Sequence, residues 1–366
     1  MEFVAHIASI VLGSYLAFTN ALATEITKVL PSSFLSESEQ KMLSRENTPP
    51  EEGGVRILTS LYTNSEALPD ILIKNAAYQK AAVVESIDPE TAPATALDAL
   101  VNIYCTYKTD TYIKTTTGTG FFIDTDGIIL TNAHVAQFLL LEGLQGDTNC
   151  VVRTGNPATP TYEVELLYIS PAWVRENAKQ LNEKAPKGTG ERDYALLYVS
   201  SALNKKPMPA QFEALPFDIN AMNTNTYGTE VFATGYPAES LLAQGFDAPL
   251  VPKQATTTIG ELMTFGSNLV DIFTIRGSII GEHGSSGGPI VNAQGKAIGI
   301  ISTKGDDVEF GAGSLRAITI AYIHRTIQEE TGISLIQNLG GNLPFRAKIY
   351  KETIIPFLQQ SLKDEL

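Results

Sequence analysis

The stretch Gly284-Ser285-Ser286-Gly287-Gly288-Pro289 holds the most chemistry in the chain. A serine set between glycines on a tight turn exposes its hydroxyl and aims successive backbone N–H groups at one point. An acyl-transfer site needs that arrangement to hold a developing oxyanion. An ordinary Gly/Ser turn between strands has the same composition, so the stretch gains weight only from its company. His134, in Thr131-Asn132-Ala133-His134-Val135-Ala136, closes an apolar run just after Asp126-Gly127, where a ring can be presented at a strand–helix corner. Asp193 stands before the apolar Tyr194-Ala195-Leu196-Leu197-Tyr198-Val199, at the mouth of a strand. A carboxylate there can accept from an imidazole, fix its tautomer and stabilise the imidazolium. Taken singly, each residue reads as a turn, core or strand-starting residue. Together they run His, Asp, Ser at separations of 59 and 93 residues, a candidate base, orienting acid and nucleophile.

Composition narrows what else these residues could serve. The chain has 366 residues, a net charge of −14, four histidines and two cysteines. At ~100–200 residues per domain it holds two or three domains and a sizeable core. The acidic balance argues against a nucleic-acid partner, which calls for a basic face. Two cysteines exclude a disulfide-stapled miniprotein and a zinc ribbon, and four scattered histidines speak against a histidine-rich metal site. There is no HExxH, no P-loop and no GxGxxG opening a helix, so neither a metal nor a cofactor is expected. His6 lies in an apolar leader, His283 beside the serine turn and His324 in a closing helix, which leaves His134 where a base is needed.

The elements that must position these residues fall into segments. Residues 3–23 form an apolar run ending in Ala21-Leu22-Ala23, a small-x-small pattern of the kind signal peptidase accepts. The run reads as a signal peptide (1–23), with membrane association through 3–23 if it stays uncleaved. Residues 24–96 read as a helical N-terminal extension broken at Thr48-Pro49-Pro50 and at Asp88-Pro89. From 97 to about 323 the pattern turns to short β-rich runs, at 100–108, 118–124, 127–132, 150–154, 162–169 and 194–200. A second set follows at 228–235, 255–265, 269–276, 289–292, 297–303 and 315–322. Asp126-Gly127 between two apolar runs is a strong hairpin signal. Two sets of about six strands predict an all-β core of two antiparallel six-stranded β-barrels, at about 97–205 and 225–325. Residues 171–192 read as a polar insertion holding Trp173, 323–330 as a closing helix, and 331–366 as a C-terminal tail. The chain ends Lys363-Asp364-Glu365-Leu366, the endoplasmic-reticulum retrieval signal, which sets a lumenal location in a eukaryote against an extracytoplasmic one.

The combination of Gly118-Thr119-Gly120-Phe121-Phe122-Ile123-Asp124, Ile129 to Val135, Asp193 to Leu197 and Gly284 to Pro289 resembles the trypsin-like, chymotrypsin-fold serine peptidases, and among them the bacterial HtrA-type proteases. The likeness covers about 97–330. It implies a chymotrypsin-like pair of barrels and a serine endopeptidase acting on protein or peptide substrates. It implies Ser286 as nucleophile, His134 as base and then acid, Asp193 as the residue orienting the imidazole, and the N–H groups of Gly284 and Ser286 as the oxyanion hole. Ser285 competes for the nucleophile's place, but in the family Gly-Gly-Pro follows the catalytic serine directly, which selects Ser286. The specificity pocket is expected around Ile280, Ser302 and Thr303, with Ile280 pointing to small or aliphatic side chains.

The sequence also departs from the family. Ser285 stands where digestive relatives carry an aspartate, and no Ile-Val-Gly-Gly occurs, which argues against activation by a newly cut N-terminus. The residues after 330 are too few for the PDZ domain that HtrA-type proteases carry. A non-catalytic chaperone-like or peptide-binding module on the same fold is the alternative function. Cys105 and Cys150 fall on separate strands of the first barrel, and a disulfide and two separate buried thiols both remain open.

Overall fold

The computed structural model describes residues 96–110, 113–144, 146–182, 189–238, 249–266, 268–276, 284–304 and 315–363. The apolar run at 3–23, all but the last residue of the extension at 24–96, Ile280, His283 and the final three residues lie outside them.

Twelve strands fall on the twelve β-rich runs. The first six are β1 (Leu100–Lys108), β2 (Ile113–Phe122), β3 (Ile128–Thr131), β4 (Asp147–Thr154), β5 (Thr159–Ile169) and β6 (Ala195–Ala202). They close into an antiparallel barrel in the order β1-β2-β3-β6-β5-β4. The second six are β7 (Glu230–Gly235), β8 (Lys253–Met263), β9 (Ile272–Ile275), β10 (Pro289–Val291), β11 (Ala297–Lys304) and β12 (Leu315–Thr319). Their closed order, β7-β8-β9-β12-β11-β10, repeats the first strand for strand. Closure in both barrels removes the free sheet edges that short antiparallel strands would otherwise expose.

Local chemistry sets the joints. At the β2–β3 hairpin, Asp126 N–H donates to Asp124 Oδ1 (2.8 Å) and Ile123 N–H to the Ile128 carbonyl (2.9 Å). Gly127 takes φ +91°, and a Cβ there would lie 2.7 Å from the Phe212 ring, so glycine is required on both counts. The first barrel closes along β1 and β4, where Cys105 and Cys150 face each other in register and form a disulfide spanning 45 residues. Of the two arrangements left open by the sequence, the structure contains the disulfide. Replacing both cysteines with serine is expected to cost ~3–4 kcal/mol of stability, read as a lower urea midpoint. A midpoint unchanged from wild type under non-reducing conditions would show that the seam holds without it.

Among the described residues four apolar clusters divide the burial, the smallest around Leu100, Tyr236 and Leu250. Of the three large ones, one fills the first barrel around Val101, Ile103, Ile129 and Leu197, and another fills the second around Val231, Phe273, Ile290 and Ile301. The third lies between the barrels, where Phe121, Leu130 and Leu196 meet Phe232, Ile300 and Ile318.

Three stretches differ from their sequence reading. The helix expected at 323–330 begins earlier, as α3 (Ile320–Thr331), because the Thr319 hydroxyl accepts from Tyr322 N–H (3.0 Å) and caps it. The insertion at 171–192 is polar only in part. Ser170 caps α2 (Pro171–Asn177), and Trp173, Val174, Ala178 and Leu181 enter the first barrel's cluster. The segment after 330 folds into α4 (Leu335–Asn338), α5 (Leu343–Ile349) and α6 (Ile355–Lys363), where the sequence suggested only a tail. Tyr350, just after α5, donates to the Ile169 carbonyl (3.0 Å) and accepts from Ile169 N–H (3.1 Å). Gln359 on α6 donates to the Leu140 and Glu142 carbonyls, and Leu358 and Leu362 are buried against the first barrel.

Candidate active site

β3 delivers the histidine. After Thr131 the chain turns through Asn132 into α1 (Ala133–Ala136), a single turn with Ala133, Val135 and Ala136 buried, which leaves His134 on the open side. Asn132 anchors this corner by donating to the Asp193 backbone carbonyl (2.8 Å). The Asp193 side chain then holds His134 twice. Oδ1 accepts from the His134 backbone N–H (2.9 Å) and Oδ2 lies 2.8 Å from Nδ1 of the ring. This arrangement places the ring proton on Nδ1 and leaves Nε2 with its lone pair.

The electrostatics follow from that pairing. Burial pulls the His134 pKa down, but the Asp193 charge and its hydrogen bond outweigh burial and leave the imidazole raised above its ordinary 6.5. The Asp193 side chain is only 5% exposed and the His134 side chain 31%, so the acid is shielded while the ring remains reachable.

The second barrel delivers the serine turn. Gly284 (φ +96°) and Gly287 (φ +87°) bracket the two serines in left-handed conformations. A Cβ on Gly287 would lie 2.0 Å from the Thr119 carbonyl oxygen, and one on Gly288 would lie 2.1 Å from that of Thr234. The turn is therefore packed against both barrels. Thr119 grips it from β2, with its N–H on the Ser286 carbonyl and its hydroxyl on the Gly284 carbonyl, both at 2.7 Å. Gly287 N–H donates to Ile301 (2.7 Å) and Gly288 N–H to Ser285 (2.9 Å). Among the described residues, the N–H groups of Gly284 and Ser286 have no hydrogen-bond acceptor.

The two halves meet at Ser302 on β11. Its hydroxyl donates to Asp193 Oδ2 (2.8 Å), and its carbonyl accepts a long bond from the Ser286 hydroxyl (3.4 Å). His134, Asp193 and Ser286 are thereby joined through one residue. Ser285 is 1% exposed, and its hydroxyl has no partner among the described residues, whereas Ser286 is half-buried.

Ser302 was expected to line a pocket. Its side chain bonds Asp193 and its backbone carbonyl faces the Ser286 hydroxyl. Thr303 follows on β11 with its side chain outside the described residues, as is Ile280 in full. Thr119 and Asn132 organise the site without having been singled out for it. Both sit inside the motifs flanking the candidate residues, but nothing in a lone threonine or asparagine says which carbonyl it will reach. Among the described residues, no three His, Cys, Asp or Glu side chains gather as a metal site would require.

A family model for the trypsin-like peptidase domain matches residues 118–300, half of the chain, and the protein belongs to that family. No curated protein sequence matches the chain. Among solved structures, the active form of the Rv3671c protease from M. tuberculosis is 20% identical, covering 71% of this chain and 94% of its own, with a TM-score of 0.41. The serine endoprotease from Yersinia pestis is 22% identical, covering 67% of each chain, also with a TM-score of 0.41.

Proposed function

We propose that this trypsin-like peptidase is a serine endopeptidase that cleaves peptide bonds through an acyl-enzyme. The double grip of Asp193 on His134, at 2.9 and 2.8 Å, carries the reading, because it fixes the tautomer whose Nε2 can take a proton. Ser286 Oγ attacks the substrate carbonyl carbon as its proton passes to His134 Nε2. The charge that develops on the carbonyl oxygen falls to the N–H groups of Gly284 and Ser286, which no other described group engages. The tetrahedral adduct collapses, the C–N bond breaks, and the imidazolium returns the proton to the departing amine. Water then repeats the sequence on the ester and frees Ser286. Asp193 stays ionised throughout and steadies the imidazolium.

We further propose that the protein works outside the cytoplasm. The apolar run at 3–23 with its Ala-x-Ala ending supports this, as does a disulfide that persists in oxidising compartments.

The test is labelling with a fluorophosphonate probe. Wild type is expected to gain one covalent adduct at Ser286, and Ser286→Ala none. Equal labelling of the two, or none in wild type alongside peptide binding, would favour the non-catalytic peptide-binding module.

A further inference from the structure

Asp193 leaves a turn that carries strain. Gly190 (φ +85°) and Arg192 (φ +54°) both adopt left-handed backbone, with Asp193 N–H donating to Gly190 (3.2 Å) and Tyr194 N–H to Arg192 (2.9 Å). Glycine enters that region freely. Arginine has a Cβ that meets the following carbonyl there, so such a residue persists only where its surroundings hold it.

The surroundings of Arg192 come largely from α3. Glu330, near the end of that helix, lies with Oε1 2.7 Å from Arg192 Nε, an ion pair in which the N–H is not aimed along the contact. Tyr322, in the first turn of α3, also lies near enough to Arg192 to interact with it electrostatically. Glu330 is itself fixed, since Oε2 accepts from the Tyr168 hydroxyl (2.5 Å) and Oε1 from the Ser170 hydroxyl (2.9 Å). Its side chain is 17% exposed, which limits the screening of its charge. On the other side, Arg192 pairs with the neighbouring Glu191 (2.9 Å). Among the described residues no ion pair joins Arg192 to Asp193, whose carboxylate is taken by His134 and Ser302. Arg192 therefore reaches the acid through the backbone alone.

Resting on the serine-peptidase reading, we propose that Glu330 is a positioning residue. From α3 it holds Arg192 in the left-handed conformation that keeps the Asp193 carboxylate on the His134 imidazole. The acid of the first barrel is thus aimed by the helix that follows the second. Without the ion pair, the turn is free to relax to ordinary backbone and carry Asp193 off its axis.

The experiment compares Glu330→Gln, Arg192→Ala and Arg192→Gly with wild type. It records kcat and KM on a peptide substrate, the thermal midpoint and the downfield proton resonance of His134 Nδ1. Glu330→Gln and Arg192→Ala are each expected to lower kcat about 5- to 30-fold with KM unchanged and to weaken the Nδ1 proton signal. Arg192→Gly loses the same ion pair but accepts the positive φ without strain, so it is expected to stay within about two-fold of wild type. A purely structural role for Glu330 would lower the midpoint and leave both kcat and the resonance in place. Should Glu330→Gln fail to fold, the contrast between Ala and Gly at 192 decides the matter on an intact helix. Wild-type kcat in Arg192→Ala, or an equal loss in Arg192→Gly, overturns the positioning role while the peptidase reading stands. A wild type that neither cleaves peptide nor takes the fluorophosphonate overturns the peptidase reading, and this inference with it.

Discussion

Asp193→Asn is expected to lower kcat about 10⁴-fold while the thermal midpoint stays within a few degrees of wild type. Two oxygens of Asp193 serve three donors: Oδ1 the His134 backbone N–H, and Oδ2 both the ring Nδ1 and the Ser302 hydroxyl. Asparagine has a single oxygen. With that oxygen on the backbone N–H, its amide group faces Nδ1 and donates to it. The ring proton then moves to Nε2, where the imidazole cannot accept from Ser286. The shape of the site survives and its protonation does not. A variant within about ten-fold of wild type would show that His134 does not work through Asp193.

The pH dependence of wild type has a definite sign. Attack needs a neutral imidazole, so kcat/KM rises as pH passes upward through the His134 pKa. Because Asp193 holds that pKa above the ordinary 6.5, the acid limb lies above that value. Stability runs the other way. A raised folded-state pKa gives a contribution that is full below the unfolded pKa and is lost as pH climbs through the folded one.

The second large effect concerns the fold around the serine. Gly287→Ala is expected to lose more than about 3 kcal/mol of stability, seen as a collapsed urea midpoint or as insoluble protein. The new methyl would lie 2.0 Å from the Thr119 carbonyl oxygen and 2.6 Å from Thr131 Oγ1. Those two atoms belong to β2 and β3, and Thr131 already donates to that carbonyl at 2.7 Å. The closer clash falls on backbone, so swinging the Thr131 side chain aside would not relieve it, and φ +87° adds its own cost. An alanine variant melting within about 2 °C of wild type would mean that the barrels yield at this contact.

Much of the architecture was legible from the chain alone, for a physical reason. Short antiparallel strands buried on one face alternate in polarity and end at residues such as Asp126-Gly127, so both their number and their grouping are local information. The onset of β2 was harder to see. Ile113 is 64% exposed and Thr115 to Thr117 are polar, so the strand carries no alternation before Gly118. The start of α3 was hidden because Ile318, Thr319 and Ile320 read as continued strand, and only the capping geometry of Thr319 separates them. The docking of α5 and α6 was not legible at all, since an amphipathic helix states that it will pack and not where.

At the candidate site, His134, Asp193 and Ser286 were singled out from their motifs. The residues that connect them could not be. Ser302 reaches Asp193 across 109 positions, Glu330 lies 138 beyond Arg192, and such pairings exist only once both barrels have formed. The serine turn was visible as a Gly-rich hexapeptide, yet the demand for glycine at 287 comes from a carbonyl on β2.

His134 and Asp193 belong to the first barrel and Ser286 to the second, 93 residues after Asp193. During synthesis at ~5–20 residues per second, about 5–20 s separate the emergence of the acid from that of the serine. Under the proposed reading, the nascent chain holds throughout that interval a base with nothing to activate. On the same reading, a chain truncated anywhere before the serine turn is an inert product. Hydrolytic capacity arises only when translation has delivered both halves and they have closed on each other.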